Sequence, residues 1–191
     1  MGEPTLIVEK DVAVPMRDGV VLRADVFRPA ASGTYPVILQ RTPYSKSLTL
    51  ISMLMLDVMR TASEGYVVVI QDSRGRYASD GEFRPGFFSA NHCDAEDGYD
   101  TVEWAARLPR STGKVGTFGN SYDGWTQRVL APTRPPHLAA ILPSGITANL
   151  LDRELSAVLR LGRVMWWSVN NLAVDAGRRT TTIFDYPYQG H

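Results

Sequence analysis

Residues Val115-Gly116-Thr117-Phe118-Gly119-Asn120-Ser121-Tyr122-Asp123-Gly124-Trp125 carry a serine among small neighbours where a strand-like run passes into helix-compatible sequence. An Oγ attacks a carbonyl only when it is displayed at the tip of a rigid element, which requires a sharp turn and small flanking residues. Gly119 stands two positions before Ser121, whereas the glycine that G-x-S-x-G would place at 123 is found at 124, with Asp123 in its slot. The chemistry implied is acyl transfer: Ser121 Oγ attacks, and the backbone N–H of Tyr122, at the positive start of the next helix, helps to hold the oxyanion. The plain alternative is a serine that only caps that helix. Tyr44 joins the candidates because a hydroxyl at the C-terminal end of a strand lies where α/β enzymes place ligand-facing groups. Its alternative is an aromatic packed on a loop.

The elements needed to position these residues are legible. Leu6 to Val14 and Val20 to Phe27, separated by Pro15-Met16-Arg17-Asp18-Gly19, read as an antiparallel hairpin turning at Asp-Gly. Val37-Ile38-Leu39-Gln40 and Tyr66-Val67-Val68-Val69-Ile70 are too continuously apolar for half-exposed strands and read as buried ones. Between them, Leu50, Ile51, Leu54, Met55, Val58 and Met59 share a face of a helix running from Leu48 to Ser63, closed by Glu64-Gly65. Asp94 to Leu108 is a second helix with Asp94 as its cap, and Pro109 stops it. Val115 to Phe118 is the third buried strand, Tyr122 to about Ala131 the next helix, and Leu138 to Leu142 a fourth strand. Strand-helix-strand alternation of this kind builds a parallel sheet. From Leu150 to about Ala176 the pattern is helical without strand signals, and Thr180 to His191 is turn-prone.

Composition narrows the partners. Twenty basic and twenty acidic residues give a net charge of +0, so nothing draws the chain as a whole to nucleic acid or an anionic membrane; a small-molecule partner is expected. A lone cysteine, Cys93, and a start lacking basic and long apolar regions make the cytoplasm the expected location, and no apolar run approaches the ~20 residues that cross a bilayer. His92-Cys93-Asp94-Ala95-Glu96-Asp97 holds metal-ligand types, but an acidic helix start explains it better, and no metal or cofactor is expected. Asp72-Ser73-Arg74-Gly75-Arg76 lacks the Lys-Ser/Thr of a phosphate loop; its expected role is structural, with Arg74 tied to a carboxylate and the loop walling the pocket. Trp166-Trp167 either stacks a substrate or packs a helical layer.

Four blocks carry a resemblance: Val14-Pro15-Met16-Arg17-Asp18-Gly19-Val20; Arg41-Thr42-Pro43-Tyr44; Val69 to Arg76 with Ser79-Asp80-Gly81-Glu82-Phe83; and Gly116 to Gly124. In order and spacing they resemble the cocaine esterase and X-prolyl dipeptidyl-peptidase family of α/β-hydrolases, whose elbow is itself G-x-S-Y-x-G, so the glycine at 124 matches. The resemblance implies that Ser121 is the nucleophile, that Tyr44 OH and the Tyr122 N–H form the oxyanion hole, and that the substrate is a small-molecule ester or an X-Pro-type peptide. It implies an α/β-hydrolase-type, mostly parallel sheet that starts with an antiparallel hairpin and is incomplete, in residues 1-146, followed by the start of a helical cap in 147-191. In that cap Trp167 matches a tryptophan lining the acyl pocket, with a core aromatic as the alternative. The family places its catalytic histidine and carboxylate after the cap, so a truncated, catalytically incomplete hydrolase is expected. His92, His137 and His191 are poor substitutes for the base. Leu138 to Leu142 is expected to be an uncovered apolar edge through which copies self-associate. The rival reading is a non-catalytic small-molecule binding module using the same pocket.

Overall fold

Val37–Leu39 and Val67–Ile70 are apolar at every position because they lie side by side in the middle of a sheet covered on both faces. The computed structural model describes residues 6–47, 56–86, 93–146, 165–173 and 175–177, and the chain divides into two compact units, Met1–Ile146 and Thr147–His191. In the first unit the elements run β1 (Leu6–Pro15), β2 (Val21–Pro29), β3 (Tyr35–Thr42), α1 (Val58–Ser63), β4 (Val67–Asp72), α2 (Asp94–Ala106), β5 (Ser111–Asn120), α3 (Tyr122–Leu130), a 3-10 turn (Ala131–Thr133) and β6 (Leu138–Ser144). In the second unit the described residues include a π-helical stretch, Ser168–Ala173. The first part of the helix expected from Leu48 falls on residues 48–55, outside the described residues; within them the helix begins only at Val58, because Asp57 caps it by accepting the Arg60 N–H, so residues 56 and 57 are not helical. No helix among the described residues is long and apolar enough to cross a membrane.

The strands form one sheet in the order β1-β2-β4-β3-β5-β6. β1 and β2 are antiparallel to each other, and β2 is antiparallel to β4; β4, β3, β5 and β6 are mutually parallel. Hairpin first and parallel strands after is the expected architecture, and it results in a mostly parallel sheet that is not closed. The period of two within each strand sorts the core. Val37, Leu39, Val67, Val69 and Val115 meet Val102, Ala105 and Ala106 of α2 and Leu130 of α3, while Val68, Ile70 and Phe118 on the other face meet Val58 and Ala62 of α1. Because the chain places β4 on one side of β3 and β5 on the other, the crossovers leave the C-terminal ends of β3 and β5 adjacent, where α/β folds bind ligands.

Two local readings are corrected. β5 begins at Ser111, four residues before the apolar run, because Ser111 pairs with Tyr35 at the polar end of β3. Asp94 does not cap α2: the N-cap is Cys93, without a side-chain hydrogen bond, and the Asp94 carboxylate turns toward α3. α3 ends where expected, with Leu130 its last residue, Ala131 its C-cap and Pro132 in the 3-10 turn that follows. At the outer edge, Ile141 and Leu142 of β6 are 38% and 65% exposed.

Candidate active site

Ser121 lies between the last residue of β5 and the first of α3 with φ 59 and ψ −119, a backbone conformation that costs a residue bearing a Cβ about 1–3 kcal/mol. The surroundings enforce it. Its N–H donates to the Ser144 carbonyl at 3.0 Å, and its own carbonyl accepts from the N–H groups of Gly124 and Trp125, each at 3.0 Å. The flanking glycines leave room for this turn. A Cβ on Gly119 would stand 2.4 Å from Asp123 Cβ, and one on Gly124 would stand 2.7 Å from the Ser144 carbonyl oxygen. Position 124 therefore presses against β6 and must be small. Position 123 instead faces β3, where Asp123 Oδ2 accepts from Gln40 Nε2 at 2.5 Å.

Although Ser121 occupies the N-cap position of α3, its hydroxyl makes no capping hydrogen bond. Its Oγ lies 3.3 Å from Tyr44 OH. β3 and the residues that follow it bring the tyrosine there, with its side chain largely buried and its N–H donating to Thr42 Oγ1 at 3.1 Å. Tyr122 is used differently. Its ring is fully buried, its hydroxyl donates to Asp94 Oδ2 at 2.7 Å and accepts from the Gly86 N–H at 3.0 Å, and burial together with Asp94 pushes the phenol pKa well up. The phenol is thus committed to holding the first turn of α3, and what Tyr122 offers Ser121 is its backbone. Tyr122→Phe removes the donor to Asp94 and leaves the Gly86 N–H without its acceptor. It should cost about 1–3 kcal/mol, read as a lower urea midpoint.

Burial also governs Asp123. Its carboxyl is fully enclosed, and desolvation, opposed by hydrogen bonds from Gln40 and Thr42, raises its pKa to about 7. A carboxyl behind the nucleophile thus holds its proton near neutrality.

The loop after β4 ties the site together. Arg74 donates to Asp97 Oδ1 at 2.5 Å and to Asp18 Oδ2 at 2.7 Å, joining α2 to the β1–β2 turn. This is the carboxylate partnership expected of Arg74. Arg76 donates to the Pro43 carbonyl at 2.9 Å, just before Tyr44, and its guanidinium lies over the rings of Tyr77 and Phe83. In the metal-ligand stretch, Asp94 serves Tyr122 and Trp125, and Asp97 serves Arg74. Among the described residues no group of three His, Cys, Asp or Glu side chains is arranged to hold a metal.

His137 is at the wrong end of the sheet to serve as the base. It precedes β6, with Nδ1 2.8 Å from Glu103 Oε2, whereas Ser121 meets the far end of β6 at Ser144; a seven-residue strand separates them by roughly 20 Å. His92 and His191 lie outside the described residues. Trp167 belongs to the second unit, where its carbonyl accepts from Asn171 Nδ2 at 2.9 Å. Lys46 and Asp25 carry no signal in the sequence reading beyond the position of Lys46, two residues after Tyr44, and Asp94, expected as a helix cap, is instead the acceptor for the Tyr122 hydroxyl.

A mixed sheet of this order, with a strained serine between a parallel strand and its helix, defines an α/β-hydrolase-type fold. An acetyl xylan esterase from Paenibacillus shares that fold with a TM-score of 0.60 at 15% identity, over 93% of this chain and 66% of its own. The chain matches the X-Pro dipeptidyl-peptidase (S15 family) over residues 18–182 and belongs to that family. It is 43% identical over 145 residues to cocaine esterase from Rhodococcus, a match covering 75% of this chain and 24% of the esterase. A CocE/NonD family hydrolase from Staphylococcus aureus superposes with a TM-score of 0.61 at 34% identity, over 72% of this chain and 27% of that one. The chain thus spans about a quarter of the length of these relatives.

Proposed function

We propose that the chain carries the nucleophile half of a serine hydrolase active site for small esters or X-Pro-type amides. The observation that carries this reading is Ser121 itself: it is held in a strained strand-to-helix turn, spends no hydrogen bond on capping, and has Tyr44 OH 3.3 Å from its Oγ. In the reaction, a bond forms from Oγ to the substrate carbonyl carbon, and the carbonyl π electrons move onto oxygen. Tyr44 OH and the Tyr122 N–H donate to that oxyanion in a site where fixed donors need no reorganisation. Collapse of the adduct breaks the bond from the carbonyl carbon to the leaving oxygen or nitrogen, which departs as alcohol or amine carrying the proton taken from Oγ, and leaves an acyl-enzyme that water hydrolyses to the acid and free Ser121. The proton leaving Oγ needs a base within hydrogen-bond reach. Among the described residues no histidine meets this requirement, so the base comes from elsewhere. Family membership and the names of the relatives support ester or X-Pro substrates, with the choice belonging to the acyl pocket.

The test is covalent labelling with a fluorophosphonate probe. Slow modification of this chain is expected, at Ser121, and it disappears in Ser121→Ala. Tyr44→Phe should reduce the rate by about 10²–10³, the usual effect of deleting an oxyanion donor. Equal labelling of the parent and Ser121→Ala would refute the nucleophile assignment. A protein that binds ester analogues without ever being labelled would instead support a binding module.

A further inference from the structure

Beneath the tip of β3 lies a charge cluster, buried at Lys46, Asp25 and Asp72 and open to solvent at Asp11 and Lys10, that the acyl-transfer chemistry does not use. Lys46, with its side chain 4% exposed, directs Nζ at Asp11 Oδ1 (2.6 Å), Asp25 Oδ1 (3.3 Å) and Asp72 Oδ2 (3.9 Å), and Lys10 also bonds to Asp25. These carboxylates come from different strands. Asp25 lies in β2 with its side chain fully buried, and Asp72 ends β4. Asp11 reaches the cluster because β1 bulges there: two of its residues, Lys10 and Asp11, face one residue of β2, Asp25. Asp11 takes a left-handed backbone at φ 54 and donates its N–H to Asp25 Oδ1 at 3.0 Å.

Everything in this cluster converges on the turn that presents Tyr44. Ser45 is left-handed at φ 82. On its two sides, the Tyr44 side chain reaches Ser121 and the Lys46 side chain reaches the carboxylates. Asp72 fixes the same turn a second time by accepting the Lys46 N–H at 2.7 Å, while Arg76 holds the Pro43 carbonyl and the Ser73 N–H holds the Thr42 carbonyl at 2.9 Å. A buried ion cluster is a weak source of net stability, because desolvation offsets its attraction. Its more distinctive effect is to fix geometry, and a misplacement of about 1 Å at a catalytic group costs on the order of 10²-fold.

We propose that Lys46 is a positioning residue, which through the Asp11–Asp25–Asp72 cluster sets where the Tyr44 hydroxyl stands relative to Ser121 Oγ. Its catalytic meaning rests on the oxyanion role of Tyr44 proposed above, but its structural content does not. The protein is labelled with 3-fluorotyrosine and observed by fluorine NMR, with Tyr44 and Tyr122 assigned from Tyr44→Phe and Tyr122→Phe. In Lys46→Met the Tyr44 line should shift and broaden while the Tyr122 line stays in place. Lys46→Arg, which keeps the charge, should bring the Tyr44 line back toward its parent position. Lys46→Met/Asp25→Asn removes the cation together with the Asp25 charge, leaves Asp72 with the backbone N–H groups of Lys46 and Ala78, and is read if the single variant fails to fold. An unchanged Tyr44 line in either folded Met variant overturns the proposal, as does collapse of all lines in both, which would make the cluster a stability element. Fluorophosphonate labelling of the same samples is expected to slow roughly tenfold or more in Lys46→Met. A parent that is not labelled counts against the hydrolase reading alone, since the Tyr44 line still decides the role of Lys46.

Discussion

Asp123→Asn is expected to make the protein more stable than the parent at pH 8 while leaving it no more stable at pH 4. The Asp123 carboxyl is fully buried, with Oδ1 lacking a hydrogen-bond partner, so ionising it strands a charge, and its pKa rises from 3.8 to about 7. A raised carboxyl pKa means that the folded state binds the proton more tightly than the unfolded chain. The resulting stability is fully present below about pH 4, where both states are protonated. It declines as the unfolded chain ionises, and is lost once pH passes the folded value near 7. A displacement from 3.8 to about 7 corresponds to on the order of 4 kcal/mol. Asparagine fits the same space and has nothing to ionise, so the variant should lack most of this decline. A smaller fall will remain from Asp72, which burial raises to about 6 and which therefore loses stability in the same direction. Urea unfolding followed by tryptophan fluorescence at pH 4, 6 and 8 tests the claim. Parallel pH profiles for parent and variant would show that Asp123 is already ionised, or hydrated, in the folded state.

That buried carboxyl also shows where reading the sequence stops. β3 and β4 were legible because a strand covered on both faces must be apolar throughout, and the elbow was legible because glycine and serine at fixed offsets reflect a steric requirement. Asp123 looked like a defect in the glycine pattern; only the register of β3 beneath α3 reveals that Gln40 waits under it. Asp94 failed for a related reason. Its position favours helix capping, but a buried phenol needed an acceptor, and the contact between α2 and α3 supplied one, so tertiary demand overrode the local preference. β5 was read four residues short because Ser111-Thr112-Gly113-Lys114 are polar and half-exposed. The strand is anchored at this end by the pairing of Ser111 with Tyr35 of β3, across a register irregularity that no local pattern records. Lys46 is the extreme case: its partners lie in β1, β2 and β4, and three strand pairings must be known before its charge has a purpose.

Gly124→Ala should disable the elbow, whereas Gly116→Ala, in the strand leading to it, should be harmless. At 124 a methyl group would stand 2.7 Å from the Ser144 carbonyl oxygen, 2.9 Å from Ile146 Cγ2 and 3.4 Å from the Gly119 carbonyl oxygen, and two of these neighbours are backbone atoms that cannot rotate away. The Ser144 carbonyl is also the acceptor for the Ser121 N–H, so relieving the clash by separating α3 from β6 loosens the bond that anchors the nucleophile. Overpacking of this kind costs about 1–3 kcal/mol, and the strain stored at φ 59 is then free to relax by moving Oγ away from Tyr44. At 116 the nearest atoms to an added Cβ are the Val37 and Ala140 carbonyl oxygens at 3.9 and 4.0 Å, which is ordinary contact. Removing the freedom of a glycine from the unfolded chain there should leave stability unchanged or raise it by about 0.4–1 kcal/mol. Thermal unfolding and Ser121 labelling, measured on both variants, separate the two positions: Gly124→Ala should lose stability and label still more slowly than the parent, while Gly116→Ala keeps both. If Gly124→Ala matched the parent in stability and labelling, the close contact between α3 and β6 would not be what holds Ser121 in place, and the shift of the glycine from 123 to 124 would have no steric cause.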